Sequence, residues 1–318
     1  MIALLFLACD LSAAPGPADA PEVIFEVPPG ATARGLADEL DAAGLVQDAW
    51  RWEWFLRGGA DGSCLKAGPH RVSAAMDAPA LLRALCGPPV PKDEPFTVVE
   101  GWRIREIDAA LAAKGWIEAG EYAAAASSGA GYAAPYPLPE GVLEGYLFPE
   151  TYRVEPDGFD PRAFVQRQLD TFGQRFWVTQ QGALGSRTLH DVVVMASLLE
   201  REEPLPTNRP LVAGILWKRL DSGWNLGVDA TSRYTLDDWN DRRSFLNKLR
   251  DPDDPWNTRL RRGLPPTAIG NPGAVALAAA CSPVQSDYWY YLHDATQTIR
   301  PSKTEAEHEA KRKTYDVW

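Results

Sequence analysis

Residues 188–203 read Thr-Leu-His-Asp-Val-Val-Val-Met-Ala-Ser-Leu-Leu-Glu-Arg-Glu-Glu, and this stretch decides the fold of the chain. It predicts a helix from Thr188 to about Glu202. Thr188 with Asp191 three residues on resembles a capping box, Asp standing for the usual Glu. Helical residues advance by about 100° each, so Leu189, Val193 and Ala196 fall within about 40° of Glu200 on one face. Glu200 therefore lies in the middle of the stripe that buries the helix, while Arg201 and Glu202 point elsewhere, toward solvent. Glu203, about 60° off the stripe, is a second candidate that this geometry allows. A carboxylate aimed at a core must be paired, neutral or lining a cleft. Desolvation raises a carboxyl pKa, and a carboxyl protonated near neutral pH is a competent general acid for a glycosidic oxygen. The competing reading is a plain ion pair with an arginine at a fraying helix end. Position alone leaves both open.

Downstream, Leu211 to Leu220 reads as helix, and Asp221 to Pro265 as a polar, loop-rich stretch punctuated by Trp224, Trp239 and Trp256. An Ala-rich helix starts near Pro272, and aromatic strands follow at Tyr288 to Leu292. Upstream, Phe164, Leu169 and Phe172 mark an amphipathic helix over 161–175. Leu143 to Tyr152 is strand-like but holds Pro149, which predicts a loop or an edge strand. Phe96 to Val99 predicts a strand, and Ile104, Ile107, Ala110 and Leu111 a helix closed by Gly115. Residues 23–93 read as a small α+β unit. Its strand Val23 to Val27 is followed by a helix opened by Thr32, a helix over Trp50 to Leu56, a short strand His70 to Val72, and a last helix through Leu81, Leu82 and Leu85 that ends at Gly87. The expected fold class is α+β in three parts: an export segment and linker over 1–22, the small unit over 23–93 and a larger mixed domain over 94–318.

The chain of 318 residues carries 32 basic and 43 acidic side chains, a net charge of −11. That balance speaks against nucleic acid as a partner and against adhesion to anionic lipid headgroups. Twelve tryptophans suit a large core or stacking platforms for flat, partly apolar ligands such as sugar rings. At the N-terminus an apolar run from Ile2 to Ala8 gives way to Ala, Pro, Gly and Asp, like the end of an export segment followed by a linker. It is shorter than the ~20 apolar residues a bilayer span takes. Leu7-Ala8-Cys9 resembles a lipoprotein cleavage site, with Phe6 where Leu is usual. Cys64 and Cys86 fall in one small segment and read either as a disulfide or as two buried thiols. No CxxC or HExxH spacing exists, so no metal site is expected.

Five blocks then stand in register: Glu100-Gly101-Trp102; Leu143-Glu144-Gly145-Tyr146-Leu147-Phe148-Pro149-Glu150-Thr151-Tyr152; Ala196 to Glu202; Gly263-Leu264-Pro265-Pro266; and Asn271-Pro272-Gly273. Together they resemble the MltG/YceG-like endolytic murein transglycosylases, a similarity that runs from residue 23 to residue 315. The resemblance implies a LysM-like N-terminal subdomain and a catalytic domain on the extracytoplasmic side of the cell envelope, usually tethered to the inner membrane. It implies cleavage between N-acetylmuramic acid and N-acetylglucosamine that leaves a 1,6-anhydro end, with no cofactor and no metal. The partners it implies are peptidoglycan glycan strands and the cell-wall synthesis machinery. The family's catalytic glutamate is placed at Glu200. Asp229 and Thr231 match an Asp-Pro-Thr core in which this chain has Ala230, and Asn257 and Thr258 match an Asn-Thr pair flanked here by Trp256 and Arg259. With Glu144 and Tyr146 of the second block, these residues make the expected substrate-binding set. Gly227 and Lys218 depart from the Gln and Asn of the family pattern. Asp229 and Asn257 also read as turn caps, and His308 as a solvated or hydrogen-bonded histidine. A fold that kept glycan binding but lost catalysis, serving as an envelope scaffold, is the alternative.

Overall fold

The computed structural model describes residues 13–317, so Cys9 and most of the expected export segment lie outside it. The chain divides into two compact units, one ending at Glu94 and one beginning at Pro95.

In the N-terminal unit, β1 (Glu22–Val27) pairs antiparallel with β2 (Gly68–Ser73), and α1 (Ala37–Ala42), α2 (Ala49–Arg57) and α3 (Ala78–Cys86) complete it. Asp48 and Asp77 cap α2 and α3 by accepting from Arg51 N and Ala80 N, which satisfies amides that a helix start leaves without partners. The helix expected to open at Thr32 forms only from Ala37, and the Thr32 hydroxyl instead accepts from Gly35 N in the turn before it. Val27, Leu36, Leu40, Leu45, Trp52, Val72, Leu81 and Leu85 make the core. So small a core gains from a covalent tie, and Cys64 is bonded to Cys86, with Cα atoms 5.1 Å apart.

The larger unit is mostly helical. Its only paired strands among the described residues are β3 (Glu94–Thr97) and β4 (Thr151–Val154), joined also by Val98 N donating to Glu150 O. The expected strand at 96–99 thus sits two residues earlier, and of 143–152 only the end is strand. Between these strands run α4 (Ile104–Ala113) and α5 (Glu121–Ala125). After them come α6 (Pro161–Phe172), a π-helical turn Gly173–Trp177 and α7 (Val178–Gln180). Then follow α8 (Leu189–Glu202), α9 (Arg209–Asp221), α10 (Asp229–Arg233), α11 (Arg242–Lys248), α12 (Ala274–Cys281) and α13 (Glu305–Thr314). The stretch 221–265, expected as loop, therefore contains two short helices. The aromatic run 288–292 makes no ladder; it holds only the isolated bridges Tyr290 to Ser302 and His293 to Ile299.

The decisive helix, α8, is capped as its sequence predicts: Thr188 Oγ1 accepts from Asp191 N, and Asp191 accepts from Thr188 N. It is buried on every side rather than along a stripe, for Val192 through Leu199 are all buried without a break. Helices α9, α10 and α12 pack around it. A helix apolar all round is a central helix. Pro204 stops it by holding Glu203 in an extended conformation at the C-cap.

Candidate active site

Three acidic residues leave the end of α8 in three directions, and their partners separate their roles. Glu200 is held in a closed ion pair. Arg209 Nη2 lies 2.6 Å from Glu200 Oε1 and Nη1 3.3 Å from Oε2, and both side chains are 6% exposed. Gly273 N, at the start of α12, donates to Oε2 at 3.0 Å. Arg209 Nε donates in turn to Glu203 O, so its charge also sits at the C-terminal end of α8, where a cation is favoured. Glu200 thus ties α8, α9 and α12 together, and the ion-pair reading of this residue is the one the geometry realises. Beside it, burial and the Glu200 charge push the Glu100 carboxyl up. The Glu100 carboxylate lies where a side chain on residue 273 would go: a Cβ on Gly273 would meet Glu100 Oε1 at 1.9 Å.

Glu203 is also closed off. It is fully buried, accepts from Leu205 N at 2.8 Å and pairs with His293 Nε2 at 2.9 Å.

Glu202, expected to face solvent, instead lines a cleft of about 440 Å³ with Arg219, Gly227, Asp229, Arg259, Tyr291 and His308. That volume is within the roughly 300–1,000 Å³ of small-molecule sites. Its Oε2 accepts from the Tyr291 hydroxyl at 3.1 Å, and the Ala230 amide also reaches the carboxyl. Burial first, and the Asp229 charge second, raise the Glu202 pKa above its ordinary value of 4.5. Asp229 faces the cleft and pairs with Arg259, whose Nε lies 2.5 Å from Oδ1. Burial depresses the His308 imidazole, which stacks on Tyr290 and whose Nδ1 has no partner among the described residues. Glu202, Arg219, Tyr291 and His293 were not singled out from the sequence. The tyrosines of 288–291 and the acidic run 200–203 were the available signals, and assigning one face to α8 set Glu202 aside.

The expected substrate contacts divide. Asp229 is in the cleft. Glu144 is not: it is 2% exposed and accepts from Ile104 N, Tyr234 OH and Asn271 Nδ2, which makes it a buried cap on α4. Burial pushes its pKa up to about 8. Tyr146 is 1% exposed and packs on Phe172. Asn257, fully buried, gives Nδ2 to the carbonyls of Lys248, Leu249 and Asp251, which fastens the end of α11. Thr231 and Thr258 bond each other through their hydroxyls at 3.1 Å beneath the start of α10. These five are buried, and none of them lines the cleft. The remaining blocks interlock likewise, through Asn271. Its Oδ1 accepts from Gly145 N and Leu147 N, and its Nδ2 donates to Trp102 O and Glu144 Oε1.

Among the described residues no cluster of His, Cys, Asp or Glu is placed to hold a metal ion, and no helix is long and apolar enough to cross a membrane.

The model of the YceG-like family matches residues 25–314. A Bacillus subtilis protein named endolytic murein transglycosylase is 26% identical over 310 residues, covering 92% of this chain and 84% of that protein. A Streptococcus pneumoniae protein of the same name is 22% identical over 307 residues, covering 86% of this chain and 55% of the relative, so the chain spans about half its length. The crystal structure of a YceG-like protein from Listeria monocytogenes superposes with a TM-score of 0.62 at 23% identity, covering 92% of this chain and 99% of that one. It shares the fold.

Proposed function

The chain belongs to the YceG-like family, and from that premise we propose that it is an endolytic murein transglycosylase whose general acid is Glu202. The observation that carries this reading is a half-buried carboxyl at the cleft wall, its pKa raised by desolvation and by Asp229. Relatives named for that activity span most of this chain. The substrate is peptidoglycan, which places the action outside the cytoplasm.

Protonated Glu202 gives its proton to the glycosidic oxygen between N-acetylmuramic acid and N-acetylglucosamine as that bond breaks. As a carboxylate, steadied by the Tyr291 hydroxyl, it then takes the proton from the C6 hydroxyl of the same muramic residue. That oxygen closes on the anomeric carbon and leaves a 1,6-anhydro end. Intramolecular attack removes the need for a positioned water or a second carboxylate. Burial and then the Asp229 charge raise the Glu202 pKa, and Asp229 stabilises the positive charge that builds on the sugar ring. The LysM-like reading of the N-terminal unit assigns it to hold the strand, and the synthesis machinery is the partner that supplies new strands.

A second reading rests on Asp229 sharing the cleft with Glu202: two carboxylates also suit hydrolysis by water. Digestion of purified sacculi and mass spectrometry of the fragments decide. Anhydro ends that disappear in Glu202→Gln, with a rate loss of about 10²–10⁴-fold, are expected. Free reducing ends would establish the hydrolase instead, and unchanged products from Glu202→Gln would remove Glu202 from the chemistry.

A further inference from the structure

Near the cleft lies an aromatic surface that the chemistry at Glu202 does not use. Arg219, which lines the cleft, donates from Nε to Trp289 O at 2.7 Å and sets its guanidinium over the Tyr290 ring. His308, also a lining residue, stacks on Tyr290 with ring centres 5.3 Å apart. These two lining residues are in contact with an aromatic stack. Trp224 lies on Trp289 with centroids 4.5 Å apart and planes 31° off parallel, and meets Tyr290 edge-on at 6.1 Å. Lys218 Nζ sits 4.6 Å from the Trp289 ring centre and is fixed by a bond to Ser286 O. Trp224 is thus braced from below, yet remains 42% exposed.

We propose that Trp224, supported by Trp289, is a stacking platform for a pyranose ring of the bound glycan, at a subsite away from the bond that is cleaved. The proposal rests on the reading of the cleft as a glycan site and extends it. Burying a tryptophan is worth a great deal of apolar area, so a rigidly supported indole left open to water next to residues that contact the cleft lining retains that gain for a ligand. A hexosamine ring offers a flat apolar C–H face to the indole and hydroxyls to the polar residues around it.

The test is calorimetric titration of the full chain, carrying Glu202→Gln to prevent turnover, with a β-1,4-linked N-acetylglucosamine hexamer. Adding Trp224→Ala should weaken binding roughly three- to tenfold, and Trp224→Phe less. In the active chain, Trp224→Ala should raise KM on glycan strands and leave kcat close to its starting value. Equal affinity with and without the Trp224 ring, at an unchanged melting temperature, overturns the platform, and so does an absence of hexamer binding to the Glu202→Gln chain. Trp224-dependent hexamer binding by a chain that cannot cleave sacculi would retain the platform and remove the transglycosylase reading.

Discussion

Glu200→Gln should cost stability rather than chemistry. Glu200 and Arg209 are each 6% exposed and share two contacts, at 2.6 and 3.3 Å, with a third bond to Gly273 N at 3.0 Å. The amide keeps an oxygen for one of these donors but removes the charge that balances Arg209. The other contact fixed for that guanidinium is the neutral carbonyl of Glu203. Breaking a buried pair by removing one partner costs about 3–5 kcal/mol, and the retained acceptor puts this case near 3. For a unit of this size each kcal/mol is worth about 2–4 °C, so its melting should fall by roughly 6–12 °C. Combining Glu200→Gln with Arg209→Met should recover much of that loss, since no unbalanced charge is then left buried. Calorimetric melts of the two single variants and the double variant measure the coupling, and sacculus digestion well below the melting point measures chemistry. The assignment fails if Glu200→Gln melts like wild type and no longer cleaves, because Glu200 would then be the acid and its ion pair a resting arrangement.

Three further outcomes are expected. Activity should decline as pH rises through the Glu202 pKa. Because the Asp229 charge is one of the causes that raise that pKa, Asp229→Asn should shift the alkaline limb of kcat/KM to lower pH; an unmoved or raised limb would contradict the coupling. Glu144 titrates near 8 in the fold against an ordinary 4.5, so its contribution to stability is full below about 4.5 and is lost as pH rises through 8. Urea titrations at pH 5 to 8 should therefore show wild type losing up to about 1.4 kcal/mol per pH unit relative to Glu144→Gln, and parallel curves would refute this. Reducing Cys64–Cys86, which spans 22 residues, should destabilise the N-terminal unit by about 3 kcal/mol and lower its melting, and a reductant-insensitive transition would count against it.

Local signals carried most of the architecture. The Thr188–Asp191 box, the Pro204 stop and the strand–helix–helix–strand–helix order of residues 22–86 follow from caps and periodicity that involve few residues each. Errors arose where tertiary packing decides. Phe96 to Val99 has the stronger strand composition, yet pairing with Thr151–Val154 selects Glu94–Thr97. Tyr288 to Leu292 looks like a strand because it is aromatic, but those rings serve the cleft and the Trp224 stack, and no continuous ladder forms there.

The proposal of Glu202 in place of Glu200 rests on packing that a stripe argument does not see. A stripe argument needs a helix with one wet face, and α8 has none along Val192 to Leu199. Once every direction leads into protein, angular position says only which neighbour a side chain meets. Glu200 meets Arg209, Glu203 meets His293, and Glu202 meets the hydroxyl of Tyr291 at the wall of an open cleft. A buried arginine favours the carboxylate form and a fixed geometry, whereas an acid catalyst needs its proton and room for a sugar oxygen. Partners, not burial, separate the three. The same reasoning explains why matching blocks overstate a site. In this chain the Asn271 side chain holds the loops of Gly145, Leu147 and Trp102 together, and Glu144 caps α4. Motif density here marks the joints of the scaffold, while Arg219, Tyr291 and His308, which form the cleft with Glu202, come from segments with weaker patterns. Of the three carboxyls at the end of α8, the one that lines the open cleft belongs to Glu202.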